Sequence, residues 1–240
     1  MRGSSFAKEV ETDRRFFSTF FRDRSIGKVF DVGANIGDKA KLFSELGASV
    51  ICVEADPAMA EMLEYRFSSR RMVIIESVAV GAEEGFAKMY RKSFSGFNTL
   101  SEKWSEAASE LGVGEKDAIQ VPITTLDTLL TRHGVPDYLK MDVEGYELPA
   151  IRGLSQRVSA VSFEVNIPSF LAETRLIIER LLELQPDYVF NFRLPDEPSF
   201  RLPQALDASG LLLALEQLGN PSSNSTCDVF AFSPASSCAS

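Results

Sequence analysis

Short apolar runs alternate with amphipathic stretches along most of the chain, the pattern of a largely parallel sheet with helices on both faces. Lys28-Val-Phe-Asp31 predicts a first strand, and Val32-Gly-Ala-Asn-Ile-Gly37 a turn into a helix that stops near Gly47. Ser49 to Glu54 predicts the second strand. Asp56 and Pro57 supply an N-cap and a first-turn proline to the next helix, whose Met59, Met62, Leu63 and Phe67 recur as one stripe. Further strands are predicted through Met72 to Ile75, Tyr138 to Asp142, Ala160 to Val165, Tyr188 to Phe192 and Asp228 to Phe232. A short helix over Leu126 to Leu130 and a longer one marked by Phe170, Thr174, Ile177, Ile178, Leu181 and Leu182 lie between them. The expected fold class is α/β, a doubly wound, mostly parallel seven-stranded sheet in three α/β/α layers.

Three segments stand outside this rhythm. Residues 1–27 carry Phe16, Phe17, Phe20 and Phe21 at helical spacing, which predicts a helical cap docked by its aromatic side on a domain spanning 28–240. Residues 81–120 mix glycine, serine and charge around Phe94-Ser-Gly-Phe-Asn-Thr-Leu100, fit no βαβ unit, and are read as an insertion or lid. A leucine-rich helix is inserted within Ser199 to Asn220, and the tail from Ser233 is expected to fray.

Composition narrows the function classes. With 240 residues, 45% of them hydrophobic, and 18 phenylalanines, the chain can bury a large core in one domain. A net charge of -9 argues against a general nucleic-acid footprint, which needs a basic face. No apolar run is long enough to span a bilayer and the opening residues lack a signal-peptide core, so a cytoplasmic protein is expected. Cys52, Cys227 and Cys238 are odd in number and scattered, which fits reduced thiols better than a disulfide framework or a zinc site. Asn224-Ser225-Thr226 matches a glycosylation sequon, which carries no weight without secretion.

The candidate chemistry sits in three places. The first βα turn, Asp31-Val-Gly33-Ala-Asn-Ile-Gly37, has two glycines rather than the three of the dinucleotide fingerprint. Glycines let backbone pass close to a ligand, while Asp31 would repel a pyrophosphate and attract an ammonium or sulfonium group. Glu54, at the end of the second strand, stands where an acid can accept ribose hydroxyls. Lys140-Met-Asp142-Val-Glu144-Gly145-Tyr-Glu147 puts Asp142 and Glu144 just beyond the fourth strand, where ligands of open sheets bind. There a carboxylate could take a proton from a hydroxyl or hold a divalent cation, though no metal ligand set is assigned. Alternatively Asp142 caps the following helix and Glu144 lies exposed in its first turn. Glu164 and Asn166 are second-tier candidates at the end of the fifth strand, and His133, the single histidine, is read as a surface loop residue.

With these residues in place the chain resembles the FkbM family of class I methyltransferases, through VFDVGANIGDKA, VICVEADP, ESVAVG, VPITTLDTLL, YLKMDVEGYELPAIRGL and VSFEVN. The resemblance spans roughly Val29 to Asn166. It implies S-adenosylmethionine as cofactor and methyl transfer to an oxygen of a sugar, glycolipid or natural product. It also implies that Asp31, Gly33, Asn35 and Gly37 hold the methionine part, and Glu54, with Ala55 beside it, the ribose. Ser77, Val78 and Ala79 would hold the adenine edge, and Asp142 and Glu144 would lie beside the transferred methyl. The residues by themselves leave two rivals open, an NAD-dependent oxidoreductase and a non-catalytic nucleoside-binding protein.

Overall fold

The computed structural model describes residues 2–22, 24, 26–218 and 225–234. Cys238, Asn224 of the sequon and the tail beyond Pro234 lie outside the described residues. A helix α1 (Arg2–Phe20) precedes β1 (Lys28–Val32), α2 (Asp38–Glu45), β2 (Ser49–Val53), α3 (Pro57–Phe67) and β3 (Val73–Glu76). Then follow β4 (Ala79–Val80), β5 (Gly85–Lys92), α4 (Glu102–Glu110), β6 (Glu115–Thr124), α5 (Leu126–His133) and β7 (Tyr138–Met141). The chain closes with α6 (Glu147–Arg152), β8 (Ala160–Ile167), α7 (Leu171–Leu184), β9 (Val189–Arg193), α8 (Ala208–Leu218) and β10 (Ser225–Phe232).

Seven strands form the central sheet in the order β3-β2-β1-β7-β8-β10-β9. β1 pairs in parallel with β2 on one side and β7 on the other, while β10 is antiparallel to β8 and β9. The chain winds outward from β1 through β2 and β3, then returns to β7, so the switch point falls between β1 and β7. Helices α5, α6, α7 and α8 bury leucine and isoleucine on one face. On the other face α1, α2 and α3 bury Phe16, Phe17, Phe43 and Leu63, which completes the three layers.

Local chemistry explains most boundaries. The Asp56 carboxylate accepts from the Ala58 N–H at 2.9 Å and Pro57 follows at the first helical position of α3. The expected stripe on α3 is corrected by one position: Ala60, Leu63 and Phe67 are buried, Met59 is half-buried and Met62 is exposed. His133 is corrected too. It is the last residue of α5, half-buried, with Nε2 at 2.6 Å from Glu76 Oε1, because the helix runs on to Gly134.

Residues 81–120 carry regular structure of their own: β5 and β6 form an antiparallel pair, β4 joins β6 in parallel, and α4 lies between them in sequence. Cys52 and Cys227 are buried and unbridged. Among the described residues no helix is long and apolar enough to cross a membrane.

α1 is held by more than its phenylalanines. Arg193, at the end of β9, is 2% exposed and donates to Asp13 of α1, while Asp13 also pairs with Lys39 of α2. Removing one partner of a buried pair leaves an uncompensated charge. We predict that Asp13→Ala lowers unfolding free energy by about 3–5 kcal/mol in urea titrations, on the scale for breaking a buried pair. A loss under about 1 kcal/mol, the range of exposed pairs, would refute the clamp.

Candidate functional site

Among the described glycines, the one in the turn after β1 has the least room for a side chain. Gly33 has φ +80, and a Cβ built there would lie 1.7 Å from the carbonyl oxygen of Asp142, just past β7. Only glycine allows the two strand ends to meet in this way. Its N–H and that of Ala34 donate to the Val53 carbonyl at 2.9 and 3.2 Å, which fixes the turn against β2. Asn35 also takes a left-handed φ of 47, and its N–H donates to Glu54 Oε2 at 2.7 Å. Glu54 Oε1 accepts from the Asp56 N–H at 2.8 Å. A carboxylate has about four acceptor positions, so two remain for a ligand.

A cavity opens beyond the carboxyl ends of β1, β2 and β7. Of the residues expected in the site, Gly33, Asn35, Glu54, Ala55, Val78 and Ala79 line it, joined by Asp142 and Glu144. Asp31, Gly37 and Ser77 do not. Asp31 is one pleat below, fully buried, and strand alternation turns it to Lys140 at 3.7 Å. Gly37 starts α2, where a Cβ would lie 2.6 Å from Leu63, and Ser77 is exposed in the turn before β4.

The far wall comes from the segment between β5 and α4. Ser95 Oγ donates to Asn35 Oδ1 at 2.8 Å, and Asn98 Nδ2 donates to Asp56 Oδ2 at 2.9 Å. Both residues line the cavity, as do Met89 and Leu100. Sequence reading missed all four. A serine and an asparagine in an irregular glycine-containing stretch give no periodic signal, and their partners are more than forty residues away.

Beyond β7 the loop does not match the alternative reading of a helix cap. α6 begins at Glu147 and carries no side-chain cap bond, so neither Asp142 nor Glu144 serves as its cap. Asp142, Glu144 and Glu164 each offer an oxygen within 4.8 Å of the others, an arrangement that could hold a divalent cation. Asn166 supports the cluster, donating to Glu164 at 3.4 Å and accepting from Thr226 at 2.8 Å.

Electrostatics follow from burial. Glu54 and Glu147 are pushed up to about 7 by burial, which their backbone hydrogen bonds only partly offset. Glu144 and Glu164 stand well above the usual carboxylate range, first through burial and then through repulsion from neighbouring acids. Asp31 is raised by burial against the pull of Lys140. Burial pulls Lys140 down, yet Asp142 and Asp31 hold it above the ordinary lysine range. It lies 3.0 Å from Asp142 and bridges the two acids.

The description "Methyltransferase FkbM domain" matches residues 31–191. No curated protein matched the sequence. Among solved structures, precorrin-6y C5,15-methyltransferase from Geobacter metallireducens GS-15 is similar at 9% identity, over 92% of this chain and 87% of that one, with a TM-score of 0.45. Aeropyrum pernix fibrillarin with bound S-adenosyl-L-methionine is similar at 12% identity, over 87% and 67%, TM-score 0.42. The plantazolicin methyltransferase BpumL, in complex with a triazolic desmethylPZN analog and SAH, is similar at 7% identity, over 94% and 85%, TM-score 0.47. Likeness this distant assigns no substrate.

Two predictions follow from this geometry. Gly112 shares the left-handed φ of Gly33 but has nothing within 4 Å, so Gly112→Ala should cost about 1–2 kcal/mol for backbone alone. Gly33→Ala should cost clearly more, and equal losses in urea titrations would mean the Asp142 contact is not tight. The raised acids make the folded state bind more protons than the unfolded chain, for which the glutamate value is about 4.3. Stability should therefore fall as pH rises from there through about 7, the folded value of Glu54 and Glu147. Melting temperature should be lower at about pH 7.5 than at about pH 5, and Glu54→Gln should reduce the difference. A melting temperature that rises over that range would contradict the burial of these acids.

Proposed function

The chain belongs to the family of methyltransferase FkbM domains, and on that footing we propose that it transfers the methyl group of S-adenosylmethionine to a hydroxyl of a sugar, glycolipid or other natural product. The observation that carries this reading is that one cavity is lined both by Gly33, Asn35 and Glu54 and by Asp142 and Glu144. Donor and proton acceptor would thus share one space.

The residues fit the donor. The zero-clearance turn at Gly33 leaves backbone rather than side chain facing the cavity, and Glu54 keeps acceptor positions for ribose hydroxyls. Val78 and Ala79 offer an apolar slot suited to a flat base. When bound, S-adenosylmethionine supplies an electrophilic methyl on a sulfonium. The chain's own task is alignment and proton handling. Asp142 or Glu144 accepts the proton of the acceptor hydroxyl, and the raised proton affinity of Glu144 makes its ionised form a stronger base than an ordinary carboxylate. In this reading Asp31 acts from below, through Lys140, rather than by touching the donor. The segment at 81–120 serves as the lid whose Ser95 and Asn98 close the donor end.

Calorimetric titration with S-adenosylhomocysteine and with NAD tests the donor assignment. Saturable binding of the adenosyl ligand alone is expected, weakened at least about tenfold by Glu54→Ala, which is about 1.4 kcal/mol. Binding of NAD, or of neither ligand, would overturn it. Transfer to a hydroxyl would leave an alkali-stable methyl ether, whereas an alkali-labile methyl ester would reassign the acceptor to a carboxylate.

A further inference from the structure

The loop between β7 and α6 bends through two consecutive left-handed residues, Glu144 at φ 53 and Gly145 at φ 83. Glycine adopts that conformation freely, whereas glutamate does so only where its surroundings impose it. The imposing group is the side chain of Glu147. Its Oε1 accepts from the N–H of Val143 at 3.0 Å and from the N–H of Gly145 at 3.3 Å, the residues on either side of Glu144. Glu147 is 5% exposed and does not line the cavity, so it touches neither proposed substrate.

We propose that Glu147 is a positioning residue: its buried carboxyl oxygen folds the 142–145 loop so that Asp142, Val143 and Glu144 form the wall of the donor cavity. The inference rests on the reading of that cavity as the donor site. Other contacts hold the same loop from outside its two amides. Thr99 Oγ1 donates to the Glu144 carbonyl at 2.7 Å, and a Cβ on Gly145 would meet Trp104 at 2.9 Å and Phe170 at 3.0 Å. The Asp142 carbonyl is the atom packed against Gly33, so a shift of this loop would be felt by the donor turn directly.

What the loop needs is an acceptor oxygen at the right reach, not a charge. A protonated carboxyl keeps its carbonyl lone pairs and can still accept both N–H groups. That separates two conservative variants. Glu147→Gln keeps the reach and loses the charge, while Glu147→Asp keeps the charge and withdraws the oxygen by one methylene.

The experiment compares wild type with both variants, as full chains, by amide exchange at Val143 and Gly145 and by calorimetric affinity for S-adenosylhomocysteine. Glu147→Gln should stay within about threefold of wild type in both readouts. Glu147→Asp should lose protection at both amides and bind at least about tenfold more weakly. The proposal is overturned if Glu147→Asp matches wild type, if Glu147→Gln fails as Glu147→Asp does, or if protection is lost while affinity holds. Failure of the wild type to bind would sink the donor reading instead, and the exchange comparison would still decide whether Glu147 bends the loop.

Discussion

The contact between Gly33 and the carbonyl of Asp142 governs the geometry of the site. Two parallel strands that are neighbours in the sheet must end at the same height for their loops to share a cavity, and here their backbones touch with no side chain between them. The hydrogen bonds along the β1 and β2 side of the cavity start from that point. The Gly33 and Ala34 amides bond Val53, Asn35 bonds Glu54, and Glu54 bonds Asp56 at the start of α3. On the acceptor side the same contact sets where Asp142 and Glu144 stand.

A second constraint is electrical. The site gathers carboxylates at the carboxyl ends of the strands, where burial makes Glu54, Glu144, Glu147 and Glu164 harder to ionise than in water. Lys140 answers part of this, lying between Asp31 and Asp142 on adjacent strands. Glu54 and Glu147 are answered differently, by backbone N–H groups that bond their oxygens. Glu54 and Glu144 face the cavity and Glu147 shapes backbone, although burial penalises all three.

The three-stranded sheet formed by β4, β5 and β6 is the part of the fold tied to the site by side chains rather than by the main ladder. Ser95 and Asn98 bond Asn35 and Asp56, and Thr99 bonds the Glu144 carbonyl. One loop therefore touches the donor turn, the start of α3 and the acidic loop together. The Ser95 bond is neutral and worth about 0.5–1.5 kcal/mol, while the Asn98 bond goes to the Asp56 carboxylate and is worth about 1.5–3 kcal/mol.

The sequence by itself determined the α/β layering, because apolar period and turn residues are local properties. The apolar residues of Lys28 to Val32, Ser49 to Val53 and Tyr138 to Met141 are buried as their composition predicts. It also marked Gly33, Glu54, Asp142 and Glu144, since each sits at a strand end where ligand chemistry collects. Tertiary structure decided what lies behind them. Strand alternation turned Asp31 inward to Lys140, α3 buried Ala60 and left Met62 exposed, and α5 ran as far as its cap Gly134 so that His133 reached Glu76. Ser95, Asn98 and the acceptor role of Glu147 depend on which distant backbone each side chain meets, and that is a property of the assembled chain.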